Sequence, residues 1–538
     1  MKALFSPIGK KSWCGLKKTF MNNLKRTFVF SLLLFIVGCS FIRRNLSDRH
    51  PGYEVNLAIK PIESPSEIRA GFSKLSITPI GFDTWNDTNG NAEYEPGKGD
   101  TYNDLNNNGE FDPVWIAGFH NSRPAQGVHD NIWVRVMILD DGNTRIALVG
   151  LDVVGLLHDE IVDIRKSLSQ QLNIDYTIIC STHSHEGPDL IGIWGETIYK
   201  SGVDPDYMRY VKKQTVLAIE TAVKNMRPAS LRFAQELNNG EKYVMDSRDP
   251  QEMDPGIRVI QAIDAETDTT LGSLISWGNH PETLWSRNLL ISSDFPHYIR
   301  ESVENGIKKG KTVLAEGIGG IAVYISSSVG GLMTTRPSFS IPDPFTGELL
   351  TGATFEKAQA QGQQVGLLIL RALQADDAVE IEKGNIRLQA KTISIPLANY
   401  KFKLGFALGV INHGITEWMK VRTEVSAFQI GPASFITVPG EIYPEIVNGG
   451  VVSPPGQDFE IPPLEVPPLR SFMPGEFKFV FGLANDEIGY IIPKSEWDEK
   501  PPYLYNDDDS PYGEENAVGP EAGPIVYGEL RKLLENFK

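Results

Sequence analysis

Apolar and polar positions along the chain fall into blocks whose period switches between that of a strand and that of a helix. Residues 133–139 and 145–154 are nearly continuous apolar runs of strand length, the pattern of strands buried on both faces. Residues 158–172 space their apolar positions three and four apart, which predicts a helix with one buried stripe, and 176–180 return to a strand. Strand, helix and strand in that order form a β-α-β unit. Further apolar runs at 257–263, 274–277, 321–325, 435–438 and 477–481 alternate with helical spacing near 206–226, 295–308, 355–373 and 522–536. The pattern predicts an α/β (mixed α+β) fold, one large catalytic domain built on a mixed sheet flanked by helices, with loop insertions. No repeat period runs through it.

Two stretches break the pattern. Residues 83–112 are crowded with Asp, Asn, Gly and Glu, whose side chains bond their own backbone and favour loops. Within them Asp104, Asn106, Asn108 and Asp112 stand at loop positions 1, 3, 5 and 9, with Gly109 at position 6 and Glu110 following it. That spacing suits a hard cation, and structural Ca²⁺ is expected there, although Trp115 stands where a bidentate Glu would close the shell. The other reading is a solvated Asx-rich loop. A weaker copy, without the glycine, is Asp87, Asn89, Asn91, Glu93 and Glu95. Residues 451–475 hold seven prolines and cannot join a sheet. They predict a surface loop or an apolar rim beside a cleft.

Composition narrows the class. A chain of 538 residues, 41% hydrophobic, is long enough for a full-sized catalytic core, which excludes disorder and coiled coil as overall descriptions. The net charge of −17 lacks the basic footprint of a nucleic-acid binder. Small molecules, cations and apolar substrates are the expected partners.

The N-terminus departs from this acidity. Residues 1–38 carry Lys2, Lys10, Lys11, Lys17, Lys18, Lys25 and Arg26 and no acidic residue, then run apolar from Phe28 to Gly38. That run falls short of the roughly 20 residues of a membrane span and predicts a cleaved export signal, with an uncleaved anchor as the alternative. Ile36-Val37-Gly38-Cys39-Ser40 resembles a bacterial lipobox with Cys39 as the lipidated residue, and Met21 is a candidate start. The expected organisation is a lipoprotein signal over 1–38, a tether over 39–68 and a catalytic domain over 69–538, lipid-anchored to the cell envelope on its periplasmic face or its surface. Of Cys14, Cys39 and Cys180, only Cys180 then keeps a thiol, so no intrachain disulfide is expected.

Four strand ends offer metal donors. Cys180-Ser181-Thr182-His183-Ser184-His185-Glu186-Gly187-Pro188 follows the first, and its His-x-His pair can present two rings to one metal or one substrate. Gly278-Asn279-His280-Pro281-Glu282-Thr283, Pro439-Gly440-Glu441 and Gly482-Leu483-Ala484-Asn485-Asp486-Glu487-Ile488-Gly489-Tyr490 follow the other three.

With the opening Ala70-Gly71-Phe72-Ser73-Lys74-Leu75-Ser76-Ile77-Thr78-Pro79, and with Gly127-Val128-His129, Leu151-Asp152 and Ser293-Asp294, these motifs occur in an order that resembles the neutral, non-lysosomal ceramidase family of zinc amidohydrolases. The resemblance covers nearly all of residues 70–538. It implies zinc held by His183, His280, Glu441 and Tyr490 with room for a water, whose lowered pKa gives hydroxide attack on an amide carbonyl. It further implies His185 in proton transfer to the departing amine, Arg248 and Tyr512 near the reacting carbonyl, and His129 and Asp294 as supports behind the ligands; the other readings are an ordinary salt bridge for Arg248, a core tyrosine for Tyr512 and a buried, hydrogen-bonded core residue for His129.

The family's serine position is held by Gly330, within Ser326-Ser327-Ser328-Val329-Gly330-Gly331-Leu332-Met333. Zinc hydroxide chemistry survives that change, whereas an acyl-enzyme route through that serine does not. The family's immunoglobulin-like C-terminal domain is expected to be missing. The resulting expectation is an exported zinc hydrolase acting on a linear amide, ceramide-like or another N-acyl lipid. The alternatives are a zinc esterase and a metal-binding surface lipoprotein without turnover. A metal-dependent phosphoesterase fits poorly, because neither a second carboxylate cluster nor a P-loop is evident.

Overall fold

The computed structural model describes residues 40 and 42–537, so the export signal and Cys39 lie outside the described residues. The larger sheet runs, in spatial order, Ile321–Ser326, Thr270–Trp277, Ile257–Asp264, Arg227–Glu236, Arg69–Ser76, Trp133–Asp140, Arg145–Leu151 and Tyr176–Ser181, with Val379–Ile381 beside Arg227–Glu236. Arg145–Leu151 and Tyr176–Ser181 pair in parallel, with helix His158–Ser167 as the connection between them. This is the β-α-β unit that the apolar pattern predicts.

A second sheet holds Asn56–Ile59, Ile386–Pro396, Lys420–Ile430, Ala433–Thr437 and Phe477–Phe481. The mixed α/β class therefore stands, but the strands divide between two stacked sheets instead of forming one. The reason the division is hidden is visible in Ile386–Pro396, which alternates buried and half-buried residues and so never forms a continuous apolar run.

The sheets meet through aromatic side chains. Phe428, Phe435, Phe477, Phe479 and Phe481 of the second sheet share a core with Phe72, Phe233, Leu274 and Val323 of the larger one. Phe428 and Phe435 stack with centroids 4.1 Å apart, and Phe233 reaches Phe477 across the interface at 5.7 Å. Helices Pro205–Lys224 and His158–Ser167 cover one part of the larger sheet's outer face. Phe295–Asn305 and Phe355–Ala372 cover another. Helix Ala522–Glu535 packs Val526, Leu530 and Leu534 on the outer face of the second sheet. The layers run helix, sheet, sheet, helix.

Two expectations need correction. The segment expected to be a tether is partly built into the fold: Asn56–Ile59 pairs with Ile386–Pro396, His50 is buried, and Arg49 meets Glu160 at 2.5 Å. As an edge strand it buries little, so its sequence reads as polar. The proline-rich stretch is a surface loop anchored by a few buried side chains, and not a cleft rim. Leu469 and Met473 are buried in the core that the C-terminal helix covers, Phe459 packs against the same core, and none of its residues lines the cavity described below. Among the described residues no helix is long and apolar enough to cross a membrane.

Replacing Phe435 by Ala should cost about 3–5 kcal/mol of unfolding free energy in a denaturant titration, and Phe435→Leu distinctly less. An Ala variant as stable as the parent would contradict the inter-sheet packing.

Candidate metal centre

Each expected ligand follows the end of a strand, two from each sheet. His183 follows Tyr176–Ser181 and His280 follows Thr270–Trp277; Glu441 follows Ala433–Thr437 and Tyr490 follows Phe477–Phe481. Residues 482–485 sew the sheets together at this end. Gly482 N donates to Ser326 O at 2.9 Å, Ser181 N to Leu483 O at 3.1 Å, and Asn485 N to Ile179 O at 2.7 Å. Asn485 Oδ1 accepts from Ile179 N at 2.8 Å. A Cβ on Gly482 would lie 2.4 Å from Ser327 O, so this seam admits only glycine there.

A second close approach sets the oxygen donors side by side. Glu441–Ile442 and Tyr490–Ile491 form a two-residue parallel pair with Glu441 opposite Tyr490. Gly440 makes it feasible, because a Cβ there would come within 2.4 Å of Gly489 O.

The histidines are oriented by backbone carbonyls. His183 Nδ1 lies 2.6 Å from Val154 O, and His280 Nδ1 lies 2.8 Å from Met333 O. A carbonyl only accepts, so each Nδ1 carries its hydrogen and each Nε2 faces inward, the arrangement of metal-ligating imidazoles. His280 Nε2 is 2.9 Å from Glu441 Oε2 and 3.5 Å from Tyr490 Oη, and His183 Nε2 is 3.5 Å from the same carboxylate oxygen. Burial alone would lower the His280 pKa, but the bond to Glu441, the charges of Glu282 and Glu441 and the bond to Met333 together outweigh it and raise it to about 9. Burial likewise opposes ionisation of Glu441, and His183 and His280 override it and hold the carboxyl well below its ordinary range. Burial and the Glu441 charge push the Tyr490 phenol upward.

His185 joins the same cluster. One ring nitrogen each from His183, His185 and His280 lie within 4.8 Å of one another, all three residues buried. Neither nitrogen of His185 makes a well-directed hydrogen bond, although Nδ1 is 3.2 Å from Glu282 Oε2. Burial, then His183 and His280, drive its pKa well below the ordinary value, leaving a neutral imidazole with a lone pair to give. Gly118 makes room for the ring, since a Cβ there would sit 2.4 Å from His185 Cγ. A divalent cation would take the lone pair of one His185 nitrogen while Glu282 lies beside the other, so the donor set fits a metal. The geometry puts His185 beside the ligands and not at a distance from them.

The other expected residues divide. Tyr512 is half-exposed, its ring 6.0 Å from that of Tyr490, and it lines the cavity at the cluster. Arg248 is committed elsewhere: Nη2 meets Glu445 Oε1 at 2.5 Å, Asp246 and Glu496 lie within 3.8 Å, and the guanidinium stacks over Tyr443. It lines a separate polar cavity that shares Tyr512 with the first. His129 is exposed, bonds Tyr298 at 3.2 Å and stacks on Phe355, so it supports the helices and not the ligands. Asp294 caps Phe295–Asn305 and accepts from Leu284 N at 3.1 Å, which ties down the loop that carries His280.

Position 330 has no room for a side chain. A Cβ there would lie 2.5 Å from Ile442 C and 2.6 Å from Glu441 O. Ser327 and Ser328 both donate to Asp254 Oδ2, at 3.2 and 2.6 Å, and Ser326 to Thr182 O at 2.8 Å. None of these three serines lines the cavity that opens at the cluster.

Residues the sequence did not single out support the cluster. Glu282 lies beside His185 and accepts from the Thr334 hydroxyl, and fully buried Arg123 donates to the His185 carbonyl oxygen. The signal for Glu282 was its place in His280-Pro281-Glu282; Arg123 left none. A largely apolar cavity opens from the centre, lined by Leu157, Ile191, Trp194, Phe402, Phe406 and Val421, with His183, His185, Glu441 and Tyr490 in its wall.

The expected calcium loop is exposed and closed on itself. Asp104 accepts from Asn108 N at 3.2 Å and Gly109 N at 2.8 Å, and Asp112 Oδ2 accepts from the side chains of Asn106 and Asn108 at 3.0 and 2.7 Å. Glu110 enters through its backbone N–H, bonded to Asn108 Oδ1. Asp87, Asn91 and Glu95 repeat the pattern, and strands Thr84–Asn86 and Thr101–Asn103 pair ahead of the two loops.

Comparison with known proteins agrees with this architecture. Residues 106–335 match the family described as neutral/alkaline non-lysosomal ceramidase, N-terminal. The fold is similar to that of neutral ceramidase from Pseudomonas aeruginosa, with a TM-score of 0.59 and 14% identity, over 88% of this chain and 74% of that one. It is similar also to a structure described as ceramidase complexed with C2, with a TM-score of 0.58 and 14% identity, over 88% of this chain and 75% of that one.

Gly440→Ala should separate Glu441 from Tyr490 and weaken divalent-cation binding by about tenfold or more in calorimetry, with the circular dichroism spectrum retained. Unchanged affinity would show that the close approach does not set the centre.

Proposed function

We propose, from the match of residues 106–335 to the neutral/alkaline non-lysosomal ceramidase family, that the protein is a member of that family and a zinc-dependent hydrolase of the amide bond in N-acyl, lipid-like compounds. One observation carries the reading: a buried cluster of three histidines, a carboxylate and a phenol in the wall of a largely apolar cavity. Nitrogen-rich donors with one carboxylate suit zinc better than magnesium or calcium. His183, His280, Glu441 and Tyr490 would hold the ion, with His185 beside them. Zinc bound there supplies a Lewis acid for the scissile carbonyl and a water acidic enough to react near neutral pH.

The protein's own groups do the rest. The cavity's apolar wall takes the acyl chain and excludes water around it, so binding energy from the chain positions the carbonyl at the cluster. The Tyr512 hydroxyl, half-exposed at the same cavity, donates a hydrogen bond to the oxygen on which charge develops. Arg248, neutralised by Glu445, is assigned to the neighbouring polar cavity and not to that oxygen. With Gly330 closed to any side chain, attack by water is favoured over an acyl-enzyme route.

Two further expectations are carried as proposals. The basic and then apolar N-terminus with Cys39 supports export and lipid anchoring to the envelope, which would place the enzyme near lipid substrates. The Asp104 loop is proposed as a structural calcium site that braces residues 83–112 and does no chemistry.

Purified protein should carry about one zinc per chain at this centre, and His280→Ala should lose both the metal and hydrolysis of a broad N-acyl amide panel. Hydrolysis by metal-free His280→Ala protein would overturn the mechanism, and full zinc with no hydrolysis at any pH would favour a binding protein without turnover. Saturating Ca²⁺, at about 100 times its Kd, should add about 2.7 kcal/mol of stability in thermal melts, and Asp104→Ala should remove the gain. A melting temperature indifferent to Ca²⁺ and to chelator would leave the loop as a polar turn.

A further inference from the structure

Tyr512 stands between two cavities of opposite character. The apolar one opens at the metal centre, and the other is lined by Arg248, Glu496, Asp498, Asp507 and Glu514 together with Tyr512 itself. Five carboxyl groups line this second cavity, those of Asp249, Glu496, Asp498, Asp507 and Glu514, beside the Arg248 guanidinium and the hydroxyls of Ser247, Tyr443, Tyr505 and Tyr512. Arg248, its one guanidinium, is already bonded to Glu445 at 2.5 Å. Asp498 is 3% exposed and Glu496 8% exposed; one oxygen of each accepts from backbone, Asp498 Oδ2 from Leu504 N at 2.7 Å and Glu496 Oε1 from Val452 N at 2.8 Å, while Asp498 Oδ1 and Glu496 Oε2 are buried without a hydrogen-bond partner. The closest cation to Glu496 Oε2 is Arg248 Nη1, at 3.8 Å.

Unpaired buried acceptors are costly unless a ligand or water supplies donors. A hydrocarbon chain placed against them would make that cost permanent, whereas hydroxyl or ammonium groups would remove it.

We propose, resting on the amide-hydrolase reading above, that this polar cavity is the subsite for the amine portion of the substrate, and that this portion is a hydrogen-bond-donating, polyhydroxylated or cationic amine and not a second hydrocarbon chain. The substrate class is then an N-acyl amino-polyol: an acyl chain on the apolar side of Tyr512, a donor-rich head on the other, and the amide between them at the metal. The crowding of the carboxyls is consistent with this. Burial and the neighbouring Glu445 raise Glu496 to about 9, and burial raises Glu514 to about 8. Both carboxyls therefore stay protonated near neutral pH, and a bound cation would favour their ionised, hydrogen-bond-accepting forms.

The test compares three lauroyl amides with the zinc-loaded enzyme: those of glucamine, sphingosine and 4-nitroaniline. It is paired with calorimetry of free glucamine on metal-free protein. The glucamine amide should show the highest kcat/KM, and glucamine alone should bind. Asp498→Asn, which keeps an oxygen for the Leu504 N–H, and Asp507→Asn at an exposed position should each weaken glucamine binding. For Asp498→Asn the loss should be about tenfold, with a larger rise in KM for the glucamine amide than for the nitroanilide. A preference for the sphingosine amide, or glucamine binding that is absent or indifferent to both variants, overturns the proposal. Failure to cleave any of the three amides would defeat the hydrolase reading instead, and the calorimetry would still decide whether the cavity takes a donor-rich amine.

Discussion

The contact between the two sheets is the constraint from which the rest follows. His183, His185 and His280 belong to loops of one sheet, Glu441 and Tyr490 to loops of the other, and the oxygen donors meet the nitrogen donors only across the contact between the sheets. Phe428, Phe435, Phe477, Phe479 and Phe481 bury their rings against Phe72, Phe233 and Leu274, each worth roughly 1.5–3 kcal/mol of burial. Apolar packing of this kind is non-directional and would tolerate a slide of one sheet on the other. Direction comes from residues 482–485, whose backbone bonds to Ser326, Ser181 and Ile179 fix the register where the donors emerge. Aromatic packing gives the interface its strength, and a few glycine-dependent close approaches give it its position.

Those close approaches also decide the chemistry. The backbone behind Glu441 comes so near Gly330 that no side chain fits there, and the adjacent serines are spent on Asp254 and Thr182. The space that a nucleophilic serine would need is taken by the strand that delivers the carboxylate ligand. His185, with both nitrogens lacking well-directed partners, crowds into the cluster instead. The site has therefore concentrated its reactive groups at one point, with an apolar cavity on one side of Tyr512 and an acid-lined cavity on the other. A centre flanked by surfaces of such different polarity suits a substrate with two unlike ends.

Much of this was legible in the sequence, and the unevenness has physical causes. The continuously apolar strands Trp133–Asp140, Arg145–Leu151 and Tyr176–Ser181 announced themselves because both faces are buried. Ile386–Pro396 did not, because every other residue is only half-covered, and with it went the evidence for a second sheet. Asn56–Ile59 was hidden by its position at an edge. His183, His280, Glu441 and Tyr490 stood out by following apolar runs within motifs of a known order, and the structure does bring them together. What the sequence left open was direction: Arg248 turns to Glu445 in a salt bridge, and His129 to Tyr298 and Phe355. Which way a long side chain points depends on partners distant in sequence, and no local pattern encodes that.

The claim on which the account rests is that these loops hold one cation between the sheets. Zinc K-edge absorption on the purified protein, with a crystal map at the zinc anomalous edge, tests it most directly. The account predicts a single strong peak bounded by His183, His280, Glu441 and Tyr490, with imidazole scattering in the first coordination sphere. An empty pocket in zinc-replete protein, or a peak held by other side chains, would contradict it.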